Sequence, residues 1–225
     1  MRIGGLQKLT LSDFPGRVAA VVYTAGCNYR CPYCHNPELV RGPPRELLDP
    51  GEVLRFLARR HGLLDGVVLT GGEPTLQAGL GDFVTRVRAL GFAVKLDTNG
   101  SRPGVLESLL EAGLLDYVAM DLKAPPRRYR EVTGGDSGPV LLSLGILARA
   151  GVEHEVRTTV APPLVTVEDA LEIGALIPPG TRHVLQPFVA RESLLDPLFG
   201  GSSPRLSMLG EMMRDAGLEC VVRGQ

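Results

Sequence analysis

Residues 17–37 read RVAAVVYTAGCNYRCPYCHNP, an apolar segment followed directly by three closely spaced cysteines. The apolar segment Arg17–Tyr23 predicts a buried β-strand. Cys27, Cys31 and Cys34 form a C-x3-C-x2-C run just beyond its end. Thiolates this close in sequence can converge on one soft metal centre, and iron–sulfur clusters are bound by such thiolates. Three cysteine ligands on a four-iron cluster would leave one iron free to bind a substrate.

The same cysteine run is also compatible with a structural zinc site that has His35 as its fourth ligand. Structural zinc sites usually combine ligands from two separate knuckles, and the sequence contains no second knuckle. The remaining cysteine, Cys220, lies beside an apolar segment near the C-terminus, which is typical of a buried and unreactive thiol. Spacing therefore favours an iron–sulfur cluster and leaves zinc as an alternative.

The composition is that of one ordinary globular domain, with 225 residues, 44% of them hydrophobic, and a net charge of −1. This near-neutral charge gives no electrostatic reason to expect nucleic acid or a membrane as a partner. The sequence has no long apolar run, and its first ten residues lack the apolar core of a signal peptide. We therefore expect a cytoplasmic protein, in which clustered cysteines bind metal rather than form disulfides.

Helical and strand patterns alternate after the cysteines. Strands are predicted at Gly66–Thr70, Ala93–Asp97, Tyr117–Asp121, Glu153–Val160, His183–Gln186 and Glu219–Val222. Helices are predicted from Pro50 to about His61 and at Leu80–Leu90, Pro103–Ala112, Val140–Ala150, Thr166–Leu176 and Ser203–Ala216, most of them ended by glycine. This alternation predicts an α/β fold of parallel βα units, either a closed barrel or an open sheet.

Three segments stand outside this alternation. Gly4–Thr10 predicts a short strand before the first core strand, and Asp13–Gly16 predicts the turn that joins them. Arg41–Leu48 is a connection rich in proline and glycine. Ala124–Gly138 has the weakest periodicity, and we expect it to be a mobile loop.

The remaining motifs all lie at strand ends or within a strand. Gly71-Gly72-Glu73-Pro74 follows one predicted strand, Asp97-Thr98-Asn99-Gly100 and Asp121-Leu122-Lys123 overlap the ends of the next two, and Arg157 lies in the strand after these. Parallel α/β folds place their ligand sites at the carboxyl ends of the strands, so these motifs and the cysteines predict one shared site. Taken singly, the first two motifs could be plain turns, and Arg157 could be a buried arginine paired with an acid.

The run Cys27-x3-Cys31-x-Tyr33-Cys34 resembles the signature of the radical S-adenosylmethionine (SAM) superfamily. The segments AGCNYRCPYCHNP, GGEP, DTNG and MDLKAP are similar to those of glycyl-radical-enzyme activases, and most similar to activating proteins of anaerobic ribonucleoside-triphosphate reductases. The resemblance extends from about Gly5 to Phe188. It implies a partial (β/α)6 TIM-type barrel, open on one side, in a single domain with an N-terminal extension (1–16), a core (17–188) and a C-terminal helix and strand (189–225).

The resemblance also implies a 4Fe–4S cluster on the three cysteines, with the amino and carboxylate groups of SAM on its open iron. The backbone of Gly71 and Gly72 and the carboxylate of Glu73 would hold the methionine amino group. Lys123 would face anionic or ribose oxygens of the ligand, and the ring of Tyr33 would pack near the adenine.

Further assignments follow from the same resemblance. Asp97 and Asp121 would help to hold a monovalent cation beside SAM, together with backbone oxygens near Thr98 and Ala119. Asn99 belongs to the same motif as Asp97 and is assigned to the cofactor site. His35 would lie beside the cluster and the adenosine. Arg157 would contact the carboxylate of SAM or the backbone of a partner.

The activity implied by the resemblance is reductive cleavage of SAM to methionine and a 5′-deoxyadenosyl radical, which takes a hydrogen atom from a backbone glycine of a partner enzyme. That partner would be an anaerobic ribonucleoside-triphosphate reductase, and its glycine loop would enter the open side of the barrel. Flavodoxin or ferredoxin would donate the electron, because the sequence has no second cysteine cluster. Two alternatives are a radical SAM enzyme that acts on a small molecule or a peptide, and a non-catalytic binding module stabilised by zinc.

Overall fold

Eight strands form one sheet in which the strands lie side by side in chain order. The computed structural model describes residues 1–40, 46–190, 193–200, 206–218 and 220–223. The strands are β1 (Ile3–Thr10), β2 (Ala19–Thr24), β3 (Gly66–Gly71), β4 (Ala93–Thr98), β5 (Tyr117–Asp121), β6 (Glu153–Val160), β7 (Arg182–Pro187) and β8 (Val221–Val222). β1 pairs antiparallel with β2, and every later pair is parallel.

This topology is that of a partial barrel. Parallel strands in sequential order require each βα connection to return over the same face of the sheet, which is the winding of a (β/α) barrel. Strands β2 to β7 supply six parallel strands. In the described part of the chain the edge strands β1 and β8 are not hydrogen-bonded to each other, so the sheet does not close. The predicted partial (β/α)6 barrel, open on one side, is confirmed.

The helices are α1 (Pro37–Val40), α2 (Pro50–Ala58), α3 (Leu80–Ala89), α4 (Pro103–Glu111), α5 (Tyr129–Thr133), α6 (Gly138–Leu147), α7 (Val167–Leu176) and α8 (Leu206–Asp215). Their ends carry the predicted signals. The Asp49 carboxylate accepts the N–H of Glu52 at 2.9 Å and caps α2, whose first residue is Pro50. Gly91 follows α3 with a φ of 88°, a conformation that favours glycine and ends the helix.

The expectation of a mobile loop over Ala124–Gly138 is wrong. Pro126–Arg128 forms a 3-10 turn and Tyr129–Thr133 forms α5. A helix of five residues is too short to produce a recognisable periodic pattern in the sequence. The helix α1 was also not predicted, for the same reason. Of the other predictions, residues 41–45 of the connection, residues 203–205 of the last helix and residue 219 of the last strand lie outside the described residues.

The two faces of the sheet bury different cores. The outer face packs against the helices and forms the larger cluster, with residues such as Val22, Leu69 and Met120. The inner face forms a smaller cluster of Phe14, Ala19, Val21, Val68, Tyr117 and Ala119. Phe14, which the sequence predicts only as part of a turn, thus fills the inside of the barrel together with Tyr117, with the two ring centroids 6.3 Å apart.

None of the helices in the described ranges has the length and apolar character needed to span a bilayer.

Candidate functional site

A cavity of about 220 Å³ lies at the carboxyl ends of the parallel strands. Ala119, whose backbone was assigned to the cation, does not line it, whereas the other predicted site residues do: Cys27, Cys31, Tyr33, Cys34, His35, Gly71, Gly72, Glu73, Asp97, Thr98, Asn99, Asp121, Lys123 and Arg157. Five further residues were not predicted: Tyr29, Asn36, Val40, Thr70 and Thr159. Thr159 lies two residues after Arg157 on β6 and so faces the same side, which means that strand alternation could have identified it.

The cysteines extend from the end of β2 into the cavity wall. All three are free thiols; Cys31 is buried, and Cys27 and Cys34 are partly exposed. Burial raises the pKa of the Cys31 thiol to about 12, an effect that the charge of Lys123 only partly offsets. Burial also raises the pKa of Cys27. In the metal-free protein Cys27 and Cys31 are therefore neutral thiols, and metal binding would displace their protons.

The cysteines lie on a loop of residues 27–34, the cysteine loop, and hydrogen bonds fix its Cys27 side. The backbone N–H of Tyr29 donates to the Cys27 sulfur at 3.4 Å, and the side-chain amide of Asn99 donates to the same sulfur at 3.9 Å. That amide also donates to Asn28 Oδ1 at 3.0 Å. The Arg30 guanidinium donates to the Cys27 carbonyl oxygen at 2.7 Å. The end of β4 therefore holds the first cysteine in place.

The arrangement does not resemble the ligands of a single metal ion. Within the described ranges, no three His, Cys, Asp or Glu side chains converge closely enough to hold one ion. His35, the fourth ligand of the zinc alternative, has its Nε2 at 3.0 Å from the Val189 carbonyl oxygen. A cluster spaces its cysteine sulfurs more widely, because each thiolate binds a different iron.

Gly71 and Gly72 bring the end of β3 against residues 24–26, the segment that leads into the cysteine loop. A Cβ atom at Gly71 would lie 2.4 Å from the backbone nitrogen of Thr24, and one at Gly72 would lie 2.1 Å from the carbonyl oxygen of Gly26. The backbone N–H groups of Gly72 and Glu73 donate to the carbonyl oxygens of Thr24 and Gly26 at 2.9 and 2.8 Å. Only glycine permits this close approach.

Glu73 is buried and links the ends of β3 and β4. Its carboxylate accepts the backbone N–H and the hydroxyl of Thr75 at 3.0 and 2.5 Å, the hydroxyl of Thr98 at 2.7 Å and the backbone N–H of Asn99 at 2.7 Å. Burial raises the pKa of Glu73, and these hydrogen bonds oppose that effect. Its carboxylate is therefore occupied by protein donors, while the contact assigned to a ligand amino group stays a prediction.

Two aspartates and three cations form a largely buried network beside the cavity, in which Lys95 is the most buried member. Arg157 donates to Asp121 at 2.8 Å and to Asp97 at 3.3 Å. Lys123 donates to Asp121 at 3.0 Å, and Lys95 donates to Asp97. Together with the Glu73 carboxylate, which lines the same cavity, three acidic groups balance the three cations, and Lys123 and Arg157 are the positive groups in the cavity wall.

The network also fixes the charge of its members. Burial by itself raises the pKa of Asp121, but the charges of Arg157 and Lys123 outweigh it and lower the pKa to about 2. Asp121 holds the pKa of Lys123 well above its usual value despite burial. The alternative prediction that Arg157 is a buried arginine paired with acids matches this geometry. The monovalent cation assigned to Asp97 and Asp121 stays a prediction, and both carboxylates here pair with side-chain cations.

An aromatic cluster covers the other side of the cysteine loop. Tyr33 is buried, and its ring centroid lies 6.1 Å from that of Phe199. Phe199 contacts Phe188 at 5.2 Å, and Phe188 lies 6.1 Å from the His35 ring. The Tyr33 hydroxyl has no hydrogen-bond partner among the residues that the structure describes. No sequence signal indicated Phe199, because residues 189–200 show neither a periodic pattern nor a motif.

Comparison with known proteins gives consistent results. The family described as the Radical SAM superfamily matches residues 21–177. A Methanocaldococcus jannaschii protein named as a glycyl-radical enzyme activating enzyme is 32% identical over 85% of this chain and 81% of its own length. The pyruvate formate-lyase-activating enzyme of Clostridium pasteurianum is 30% identical over 81% of this chain and 78% of its own. A Halobacterium salinarum protein named as a GTP 3′,8-cyclase is 44% identical over 73% of this chain but only 46% of its own length.

Solved structures show the same fold at low sequence identity. A radical SAM methyltransferase from Sphaerobacter thermophilus superposes with a TM-score of 0.72 at 16% identity, over 96% of this chain and 68% of that one. SuiB from Streptococcus suis bound to S-adenosylmethionine superposes with a TM-score of 0.69 at 15% identity, over 91% of this chain. The matched region covers 50% of the SuiB chain, so this chain spans about half the length of SuiB.

Proposed function

The chain belongs to the radical SAM superfamily, and from this membership we propose that it is the activating enzyme of a glycyl radical enzyme. Two relatives that match most of this chain and most of their own length carry names of such activating enzymes. We further propose that the partner is an anaerobic ribonucleoside-triphosphate reductase, that flavodoxin or ferredoxin donates the electron, and that the protein acts in the cytoplasm. The motif resemblance supports the first of these finer proposals.

One observation carries the proposal: Cys27, Cys31 and Cys34 line a single cavity with the glycine and charged motifs of three neighbouring strands. The residues fit a 4Fe–4S cluster and SAM in their chemistry. Soft thiols suit iron. The Lys123 ammonium in the cavity wall suits a carboxylate, and the unpartnered Tyr33 hydroxyl leaves a buried polar atom available to a ligand.

Different residues of the chain would bind the cluster and the parts of SAM. When bound and reduced, the cluster supplies the electron that cleaves SAM to methionine and a 5′-deoxyadenosyl radical. The three cysteines would hold the cluster, and the close approach of Gly71 and Gly72 to the segment that leads into the cysteine loop would form the floor under the methionine group. Lys123, with Arg157 behind it, would orient the carboxylate. The protein would thus supply ligation, orientation and exclusion of side reactions.

Production of 5′-deoxyadenosine tests this function. Protein purified and reconstituted without oxygen is mixed with SAM and dithionite, and the product is measured by chromatography, with Cys34→Ala as the control variant. We expect product from the wild type only. Bound zinc instead of iron, with no affinity for SAM, would contradict the proposal and favour the zinc-stabilised binding module.

The partner is tested separately by electron paramagnetic resonance. Addition of an anaerobic ribonucleoside-triphosphate reductase to the reaction is expected to produce a glycyl radical signal on the reductase. The similarity to a protein named as a GTP 3′,8-cyclase supports the second candidate, a radical SAM enzyme that acts on a small molecule. A GTP-dependent increase in 5′-deoxyadenosine, without any glycyl radical on the reductase, would favour that candidate.

A further inference from the structure

We propose that residues 193–200, which we call the strap, hold the cysteine loop (residues 27–34) in the shape that cluster binding requires. Phe199 is the positioning residue of the strap. The identity of the cluster rests on the proposed function, whereas the restraint on the loop is a property of the metal-free protein. The two can therefore be tested independently.

Backbone hydrogen bonds join the strap to the second half of the cysteine loop. The N–H of Leu195 donates to the Cys34 carbonyl oxygen at 3.2 Å, and the N–H of Asp196 donates to the Pro32 carbonyl oxygen at 3.0 Å. The loop adds its own turn, in which the N–H of Cys34 donates to the Cys31 carbonyl oxygen at 3.0 Å. These bonds fix the backbone on both sides of Tyr33.

Side-chain packing reinforces these bonds. The Phe199 ring lies between Tyr33 and Phe188, with centroid distances of 6.1 and 5.2 Å. The strap is itself ordered, because the N–H of Phe199 donates to the Asp196 carbonyl oxygen at 3.1 Å and Leu194 is only 6% exposed. Phe199 thus connects the strap to the aromatic residue that stands between the second and third cysteines.

The first half of the loop is held by different residues. The N–H of Arg30 donates to the Thr133 carbonyl oxygen at 2.8 Å, and the ring of Tyr29 packs against Gly135, where a Cβ atom would lie 2.2 Å from it. Asn99 contacts Cys27 itself. Loss of the strap contact should therefore affect Cys31 and Cys34 and leave Cys27 in place.

Thiol alkylation of the metal-free protein provides the test. Cys31 is 6% exposed, so iodoacetamide reaches it only when the loop opens. Phe199→Ala is expected to raise the alkylation rate at Cys31 roughly fivefold, as loss of an aromatic contact would. Leu198→Ala is the matched control, because Leu198 is 91% exposed on the same strap, and its rate should equal that of the wild type. Mass spectrometry reports each cysteine separately.

Cys220, a partly exposed thiol packed against a different cluster, is the internal reference for changes outside the cysteine loop. The proposal is overturned if Phe199→Ala leaves the Cys31 rate unchanged, or if the rates at Cys31 and Cys220 rise by the same factor. Phe199→Tyr keeps the ring and should restore the slow rate. If Phe199→Ala does not fold, Phe199→Leu replaces it and should still accelerate alkylation at Cys31.

A second measurement concerns the loaded protein. After anaerobic reconstitution, Phe199→Ala should release iron to a chelator several times faster than Leu198→Ala. Failure of the wild type to bind an iron–sulfur cluster would contradict the proposed function, and the alkylation rates would still decide the role of the strap.

Discussion

The Cys27 sulfur accepts two hydrogen bonds, one from the backbone of Tyr29 and one from the Asn99 amide. Hydrogen bonds to cysteine sulfur raise the reduction potential of an iron–sulfur cluster, because they stabilise the added negative charge. Asn99→Ala should therefore lower the potential by on the order of 20–60 mV, the one-electron equivalent of one hydrogen bond. A redox titration followed by electron paramagnetic resonance measures it.

Ser101→Ala is the control for this prediction. The Ser101 hydroxyl is buried without a hydrogen-bond partner in the described part of the chain, so its removal should leave the potential unchanged. A potential that stays constant or rises in Asn99→Ala would show that the amide does not act on the cluster.

Glu73 offers a second test at the level of one residue, because its carboxylate joins two strand ends before any ligand binds. Both oxygens of the Glu73 carboxylate accept hydrogen bonds, one from Asn99 and the other from Thr75 and Thr98. In Glu73→Gln an NH2 group replaces one of these oxygens, so the hydrogen bonds on that side are lost. We expect the free energy of unfolding of the metal-free protein to fall by roughly 1–3 kcal/mol. Urea unfolding of Glu73→Gln, beside the exposed Glu52→Gln, measures this. Unchanged stability combined with weaker SAM binding would instead make Glu73 a ligand contact only.

At the scale of elements, the contact between the end of β3 and the segment that leads into the cysteine loop depends on Gly72. Gly72→Ala places a methyl group against the Gly26 carbonyl and must separate the two segments. Overpacking of this kind should cost about 1–3 kcal/mol and reduce the iron bound after reconstitution. Gly81→Ala in α3 is the control, because nothing lies within 4 Å of its added Cβ and its iron content should be that of the wild type. Normal iron content in Gly72→Ala would contradict the prediction.

The pairing of β5 with β6 places Asp121 beside Arg157, and this pair predicts a pH dependence. The folded-state pKa of Asp121 is lowered to about 2 from 3.8, so its stabilising effect is complete above pH 3.8 and is lost as the pH falls through 2. Asp121→Asn should be less stable than the wild type by roughly 2–3 kcal/mol at neutral pH. The difference should shrink as the pH falls from about 4 to 2. Urea unfolding across this range measures it, and a constant difference would contradict the assignment.

At the scale of the whole molecule, the sequence specifies where the motifs meet but not what they contact. Parallel strands in sequential order bring their carboxyl ends to one edge, so Cys27, Glu73, Asn99 and Lys123 could be placed around one cavity from their positions alone. The bonds among them depend on which residues face inward once the sheet curves. The pairing of Asp97 with Arg157, two strands away, therefore could not be predicted.

The structure of segments without hydrophobic periodicity also could not be predicted from the sequence. The strap and α5 are too short or too irregular for a hydrophobic pattern, yet they hold opposite halves of the cysteine loop. The position of Phe14 inside the barrel could not be predicted either, because the turn signal around it does not indicate which way its side chain packs. Such residues become identifiable only when distant segments are brought together.

Near the end of the described chain, one ion pair joins the partly exposed Arg223 to the buried Glu155. Arg223, which follows β8, donates two hydrogen bonds to Glu155 on β6 at 2.9 and 2.8 Å, and the Tyr117 hydroxyl donates to the same carboxylate at 3.0 Å. The Glu155 side chain is fully buried, so removal of its partner leaves an uncompensated charge inside the protein. Arg223→Met should therefore lower the free energy of unfolding by roughly 2 kcal/mol, less than for a fully buried pair because Arg223 is partly exposed and Glu155 keeps the Tyr117 hydroxyl.

This loss should be spread over the barrel rather than confined to the site, because Glu155 lies on the inner face, two residues before Arg157. We expect chemical denaturation to show one cooperative transition at lower denaturant, with 5′-deoxyadenosine production per folded molecule unchanged. Arg86→Met, at an exposed position on α3, should leave the transition in place. The contrary outcome is that β8 unfolds alone, which would appear as faster hydrogen exchange restricted to residues 220–223 with an unshifted main transition. That result would show that the fold tolerates an unpaired Glu155 and that β8 only covers the edge of the sheet.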